Sequence, residues 1–177
     1  MEQQWDSYIC KVNGNIASIF LNLALREHSP MPDKPWLLWV WVNLKNPRPD
    51  GLSDQCELES LIELENSLSE EMLDSCHAIL AGTITTESRR EFYYYGESVE
   101  SFQSAVERAL SPLEGYQFDT GTQPDTNWKQ YLDVLYPSET DLTTPRFLRT
   151  GMDGSRNRIC CRRSLRRSSP VAWRLDW

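Results

Sequence analysis

Cysteine and histidine are the side chains best suited to metal binding and nucleophilic chemistry, and here they are few and scattered. The cysteines are Cys10, Cys56, Cys76, Cys160 and Cys161, and the histidines are His28 and His77. Structural zinc needs closely spaced cysteine or histidine pairs, and nucleophilic catalysis needs a thiol or hydroxyl beside a histidine and an acid. The spacings favour neither arrangement. We therefore predict no metal, no cofactor and no catalytic residue, and thiols that stay reduced in the cytoplasm.

Carboxylates are more concentrated, because residues 53–75 have the pattern of an acidic amphipathic helix. Its apolar residues recur at three- and four-residue steps: Leu58, Leu61, Ile62, Leu64, Leu68, Met72 and Leu73. Asp54 and Glu57 have the spacing of a capping box at its start. Among the polar positions are six glutamates and neither lysine nor arginine.

Such an acidic face is most often simply solvated. A surface of one sign also attracts an oppositely charged partner and speeds its association. Glu59, Glu63 and Glu70 are therefore the candidate contact residues for a basic partner protein. A catalytic pair of carboxylates on this face is much less favoured than a solvated surface.

Aromatic residues suggest a second candidate surface. The run at 36–42 is wholly apolar, which predicts a central strand buried on both faces. Ferredoxin-like sheets can stack single-stranded RNA on exposed rings, and Trp39, Trp41 and Tyr93 could form such a platform. The alternative is that these rings are core, and the negative charge favours it because an acidic domain repels phosphate.

The remaining patterns predict the elements that would hold these surfaces. Expected are a hairpin over 5–25 turning at Asn13-Gly14, strands at 36–44, 78–86, 90–95 and 116–118, and helices at 53–75, from Ser98, and at 126–136. From residue 36 the order is βαββαβ. We therefore predict a two-layer α+β fold, with a ferredoxin-like antiparallel sheet extended by the N-terminal hairpin and followed by a C-terminal helix.

Charge divides the 177 residues into two regions. Residues 1–142 hold 24 acidic and 9 basic side chains, a net charge of −15, whereas 143–177 hold 2 and 9, a net charge of +7; together these give the overall −8. We predict an acidic domain at 1–142 and a basic tail at 143–177 that is disordered or not native to the chain, as a reading-frame change would produce. A genuine tail that folds back on the acidic domain or binds nucleic acid is the competing interpretation. No apolar run is long enough to span a membrane and no secretory signal is expected, so a cytoplasmic location is predicted.

Several motifs together resemble a known family. They are Trp5…Tyr8, Asp50-Gly51-Leu52 before the acidic helix, Gly82-Thr83-Ile84-Thr85, Phe92-Tyr93-Tyr94-Tyr95, and Trp128…Tyr131…Leu135-Tyr136-Pro137. Residues 1–142 resemble the bacterial domain of unknown function numbered 695, most specifically over 125–137. The resemblance implies no catalytic residues. Some members continue into a domain like the regulator of ribonuclease E activity, variety B, which implies a regulatory or partner-binding role.

The function predicted from these observations is a non-enzymatic, cytoplasmic domain for protein interaction or regulation. One alternative is an enzyme with a carboxylate- or tyrosine-lined pocket between the sheet and the hairpin. The other is RNA binding through the sheet, which requires exposed aromatic rings.

Overall fold

A computed structural model describes residues 3–113 and 115–137. The predictions made for the basic region at 143–177 therefore lie outside the described residues. The strands are β1 (Trp5–Val12), β2 (Asn15–Asn22), β3 (Trp36–Asn43), β4 (Ile79–Thr86), β5 (Arg89–Gly96) and β6 (Phe118–Pro124). The longer helices are α1 (Leu58–Cys76) and α2 (Phe102–Leu110); short 3₁₀ turns occupy Leu23–Glu27 and Gln55–Glu57, and a π-helical turn occupies Gln130–Leu135.

All six strands form one antiparallel sheet in the order β1-β2-β4-β5-β3-β6, so the α+β class is confirmed. The β1–β2 hairpin turns at Asn13-Gly14, where both φ angles are positive (53° and 88°). The β4–β5 hairpin turns the same way at Glu87-Ser88 (51° and 62°). Two left-handed residues match the right-handed twist of the flanking strands, which explains both tight turns.

Opposite residues of paired strands lie on the same side of a sheet, so the register defines two faces. On the helix face, α1 and α2 pack on β3 and β5 around Val40, Phe92 and Tyr94. On the aromatic face, Trp39, Tyr93 and Tyr95 belong to a second buried cluster. Strand β3 lies between β5 and β6, and its middle is buried on both faces, as its apolar run predicts.

The third helix differs from the prediction. The chain at 126–136 forms a π-helical turn only at Gln130–Leu135, because Trp128 has a left-handed backbone (φ 54°). Trp128, Tyr131 and Leu135 belong to the buried cluster of the aromatic face, opposite to α1 and α2. The segment is thus a cover for the second face.

Strand β6 was predicted at 116–118 and instead runs from Phe118 to Pro124. Its sequence is polar, but it pairs with β3 over its whole length, so its partner and not its own hydrophobicity makes it a strand. His77, which directly precedes the predicted strand at 78–86, ends α1 with a left-handed backbone at φ 47°. The helix is otherwise close to its predicted bounds.

Of the predicted capping box at Asp54 and Glu57, only the contact made by Asp54 is present. The Asp54 carboxylate accepts the backbone N–H of Cys56 at 2.8 Å and caps the 3₁₀ turn that leads into α1. Glu57 does not reach back to Asp54. Its buried carboxylate accepts the backbone N–H groups of Lys45 (2.8 Å) and Asn46 (2.9 Å), which ties the loop after β3 to the start of the helix.

Candidate functional site

Helix α1 carries the predicted acidic surface, and the packing of its buried side determines which residues of the helix face the solvent. Leu61, Leu64, Leu68 and Met72 are fully buried against the sheet and α2. Residues three and four apart lie on one side of a helix, so these four residues define its buried side. Most other residues of α1 lie on its flanks or face the solvent. Glu59, Glu63 and Glu70 are all exposed, as predicted.

Two other glutamates of α1 are paired with arginines that come from outside the helix. Arg90 of β5 contacts Glu65 at 3.0 Å, and Arg108 of α2 contacts Glu71 at 2.8 Å. Burial raises the pKa of Glu65, and the Arg90 charge opposes that shift. The absence of lysine and arginine from the helix sequence therefore overstates how negative this side of the molecule is.

The exposed carboxylates of Glu59, Glu63, Glu70 and Asp74 form what we call the acidic row. Within residues 3–113 and 115–137 none of the four has a basic partner within salt-bridge distance. Four like charges on one helix face repel one another and gain nothing from the fold. They are available to an external cation.

Next to the acidic row is an exposed apolar row on the same helix, which the sequence pattern assigned to the buried side. Leu58, Ile62 and Leu73 are 38%, 48% and 54% exposed. The apolar residues of α1 cover a wider part of the helix surface than one buried stripe, and this width is the sequence pattern that indicates an exposed apolar row. Fully apolar and charged side chains thus lie side by side on one surface of α1.

The aromatic platform residues occupy a different place. Trp39 and Tyr93 are buried (8% and 3% exposed), and the Tyr93 hydroxyl donates to Glu91 at 2.6 Å. Trp41 is half-buried, stacks on Trp39 at 4.6 Å between ring centroids, and has the Arg89 guanidinium 4.4 Å above its ring. Stacking on RNA needs open ring faces, and these rings have neighbours in the molecule.

The buried carboxylates and tyrosines, which an enzyme pocket would use, hold the cover of the aromatic face in place. The Tyr95 hydroxyl donates to Asp125 at 2.6 Å, and Asp125 also accepts the backbone N–H groups of Lys129 (2.9 Å) and Gln130 (3.0 Å). Burial, followed by this contact with the Asp125 carboxylate, raises the pKa of Tyr95 far above its usual range. Sequence reasoning missed Asp125 because its role depends on Tyr95, thirty positions away.

Among the described residues, no group of three or more histidine, cysteine or acidic side chains is arranged to hold a metal ion. No described helix has the length and apolar character needed to cross a membrane. Within the described residues, the acidic and apolar rows lie side by side on the exposed surface of α1.

A six-stranded antiparallel sheet with α1 and α2 on one face and a cover anchored by Trp128 on the other defines an α+β domain. A family of unknown function (DUF695) matches residues 3–136. The chain therefore belongs to that family, which confirms the resemblance drawn from its motifs. No curated protein and no solved structure matches the chain.

Proposed function

We propose that the protein is a non-catalytic interaction domain that binds a basic region of a partner protein through the acidic row of α1. The observation that carries the proposal is the contrast within one helix. Glu65 and Glu71 have arginine partners, whereas Glu59, Glu63, Glu70 and Asp74 have none among the described residues.

The charge of the domain supports the same function. With a net charge of −15 over residues 1–142, the field around α1 attracts cations and raises the rate at which a basic partner is encountered. The same charge opposes binding to a phosphate backbone, so RNA is a poor candidate ligand for this domain.

We also infer a ferredoxin-like topology for part of the sheet. The order β6-β3-β5-β4, with α1 connecting β3 to β4 and α2 connecting β5 to β6, supports a ferredoxin-like unit. In this interpretation α1 and α2 form the second layer, and the β1–β2 hairpin is an extension of the sheet. Among the described residues, the unbridged thiols of Cys56 and Cys76 support a cytoplasmic location.

The experiment is a comparison of partner capture by three full-length proteins. The first is the natural chain, the second carries Glu59→Lys, Glu63→Lys and Glu70→Lys, and the third carries Glu27→Lys, Asp119→Lys and Asp133→Lys. The third set changes the total charge equally at exposed acids away from α1.

We expect the α1 variant alone to lose a captured protein, and that protein to dissociate as salt shortens the Debye length from about 8 Å toward about 3 Å. Capture that survives the α1 reversal, or that is lost equally in both variants, would contradict the proposal. Circular dichroism of each variant controls for folding.

A further inference from the structure

The helix face of the sheet is wider than the helices that cover it. The hydroxyl of Thr120 in β6 donates to Gln103 of α2, and Arg90 and Tyr94 of β5 contact Glu65 and Ser69 of α1. These contacts place α2 toward β6 and α1 over β5. Strands β2 and β1 lie beyond β4 at the far side of the sheet, whereas α1 packs chiefly on β4 and β5.

The strand register identifies the side chains that this uncovered strip presents. Thr83 of β4 lies opposite Phe92, which is on the helix face, and also opposite Phe20 of β2. Phe20 lies opposite Ser7 of β1, so alternate residues of β1, including Trp5 and Ile9, share the helix face. Trp5 stacks on Phe20 at 4.8 Å, both are half-buried, and Ile9 is 45% exposed.

The apolar row of α1 borders the same strip. The side of α1 that meets α2 is marked by Ser67, whose hydroxyl donates to Ala109, and by Glu71. At 100° per residue, Leu58 falls between Glu65 and Ser69 on the opposite side of the helix, and Ile62 and Leu73 fall just beyond them. They therefore overlook β4, β2 and β1. We call the space between the apolar row and the β1–β2 hairpin the slot.

We propose that the slot binds one amphipathic, basic α-helix of a partner protein, which would lie beside α1 as α2 does on its other side. This inference rests on the proposed function, since it gives the basic partner a shape and a place. The apolar side of the incoming helix would cover Ile62, Leu73, Phe20 and Ile9. Its basic side chains would reach the acidic row.

The dimensions of the slot suit a helix. Neighbouring strands are about 4.8 Å apart, so β1 lies about 10 Å from β4, whose helix-face residue Thr83 is already buried; that distance is about the width of one helix. Packed helices lie about 8–10 Å apart, so an occupant of the slot is within reach of α1 side chains. Helix α1 has 19 residues and is therefore about 28 Å long, which sets the useful length of a partner helix at about 18 residues.

Charge complementarity decides which helix fits. Around the surface of α1, Glu59, Glu63 and Glu70 lie next to the apolar row. A helix bound in the slot therefore needs an apolar stripe flanked by lysine or arginine. An acidic helix would bring like charges together and is therefore disfavoured.

The test measures binding of a synthetic peptide to the full chain. The probe is a leucine–lysine peptide of about 18 residues with leucine at helical i, i+3, i+4, i+7 spacing. A peptide of the same composition with leucine spread evenly around the helix is its control. The slot variant combines Ile9→Thr, Ile62→Gln and Leu73→Gln, and Phe118→Thr removes an equally exposed ring (41%) from the distant edge strand β6.

We expect the amphipathic peptide to bind at least about tenfold more tightly than its control, and the slot variant to lose that preference. The Phe118→Thr protein should bind as the natural chain does. The single changes Ile9→Thr and Ile62→Gln should each weaken binding about two- to threefold, which keeps the test decisive if the triple variant fails to fold.

The possible failures are distinguishable. Binding that depends on Glu59, Glu63 and Glu70 but not on the slot residues would overturn the slot and leave the proposed function standing. Binding that is indifferent to those glutamates would overturn both. If the full chain forms a dimer and the slot variant does not, the slot is occupied by a second copy of the chain. If the peptide binds only after the arginines in 143–177 are replaced by glutamine, the slot is occupied by the chain's own basic region. Either result overturns the proposal.

Discussion

The two faces of the sheet are completed in different ways. On the aromatic face, the hydroxyl groups of Tyr95, Tyr131 and Tyr8 donate to Asp125, to the carbonyl of Asn22 and to the carbonyl of Leu135. On the helix face, the aliphatic side chains of Ile62 and Ile9 are about half exposed (48% and 45%). Among the described residues, Trp39, Tyr93, Tyr95 and Trp128 are therefore core, whereas the exposed surface of α1 is aliphatic and acidic.

The largest effect should come from removing the centre of the cover on the aromatic face. Trp128 is fully buried, stacks on Tyr95 at 3.9 Å between ring centroids, and donates its indole N–H to the carbonyl of Lys34 at 3.1 Å. We expect Trp128→Ala to lower the free energy of unfolding by about 3–5 kcal/mol in urea denaturation. Trp5→Ala, on the half-buried hairpin, should cost less than half as much; equal losses would remove the distinction between the faces.

Two adjacent residues of α1 sharpen the comparison within one helix. Leu61 is fully buried, whereas Ile62 is 48% exposed. Leu61→Ala should cost about 2–5 kcal/mol, and Ile62→Ala about 0.5 kcal/mol or less. A large loss at Ile62, measured in the same denaturation experiment, would mean that something already covers the slot.

The sequence pattern predicted most of the sheet because local signals dictate it. Asn13-Gly14 and the apolar run in β3 act within a few residues of where they stand. Strand β6 and the π-helical turn could not be predicted, because each depends on a contact distant in the sequence. Strand β6 pairs with β3, and the backbone N–H of Tyr131 in the turn donates to the Tyr95 hydroxyl. Likewise Glu59, Glu63 and Glu70 were predictable as exposed, whereas the exposure of Leu58, Ile62 and Leu73 depends on how far α1 and α2 extend across the sheet.

A smaller effect tests how tightly β6 closes against the aromatic face. The ring of Trp39 lies directly over Gly121, where an added Cβ would collide with it. Gly121→Ala should therefore cost about 1–3 kcal/mol through overpacking. Thr122→Ala on the same strand is exposed and should cost about 0.5 kcal/mol or less. A neutral Gly121→Ala would show that Trp39 is free to move away.

Alkaline titration probes the tyrosines of both faces with the least perturbation. Burial raises the pKa of Tyr94, Tyr95 and Tyr131 well above the usual 10.0, and raises that of Tyr116 to about 12. The folded state therefore favours the neutral phenols. Stability is unaffected below about pH 10 and falls as the pH rises above it, because unfolded tyrosines ionise there first.

The measurement is the ultraviolet absorbance of tyrosinate in the folded protein and in urea. The folded titration should be displaced to higher pH. Complete ionisation near pH 10 while circular dichroism still reports a folded protein would contradict the burial of these hydroxyl groups.

If the binding surface lies between α1 and the β1–β2 hairpin, bound peptide should protect those two elements. Hydrogen exchange of the full chain, mapped with and without the amphipathic basic peptide, measures this protection. The amides of Leu58–Cys76 and Trp5–Val12 should exchange more slowly when the peptide is bound, with little change in Gln130–Leu135. Slower exchange confined to Phe118–Pro124 and Gln130–Leu135, with α1 and the hairpin unchanged, would contradict it.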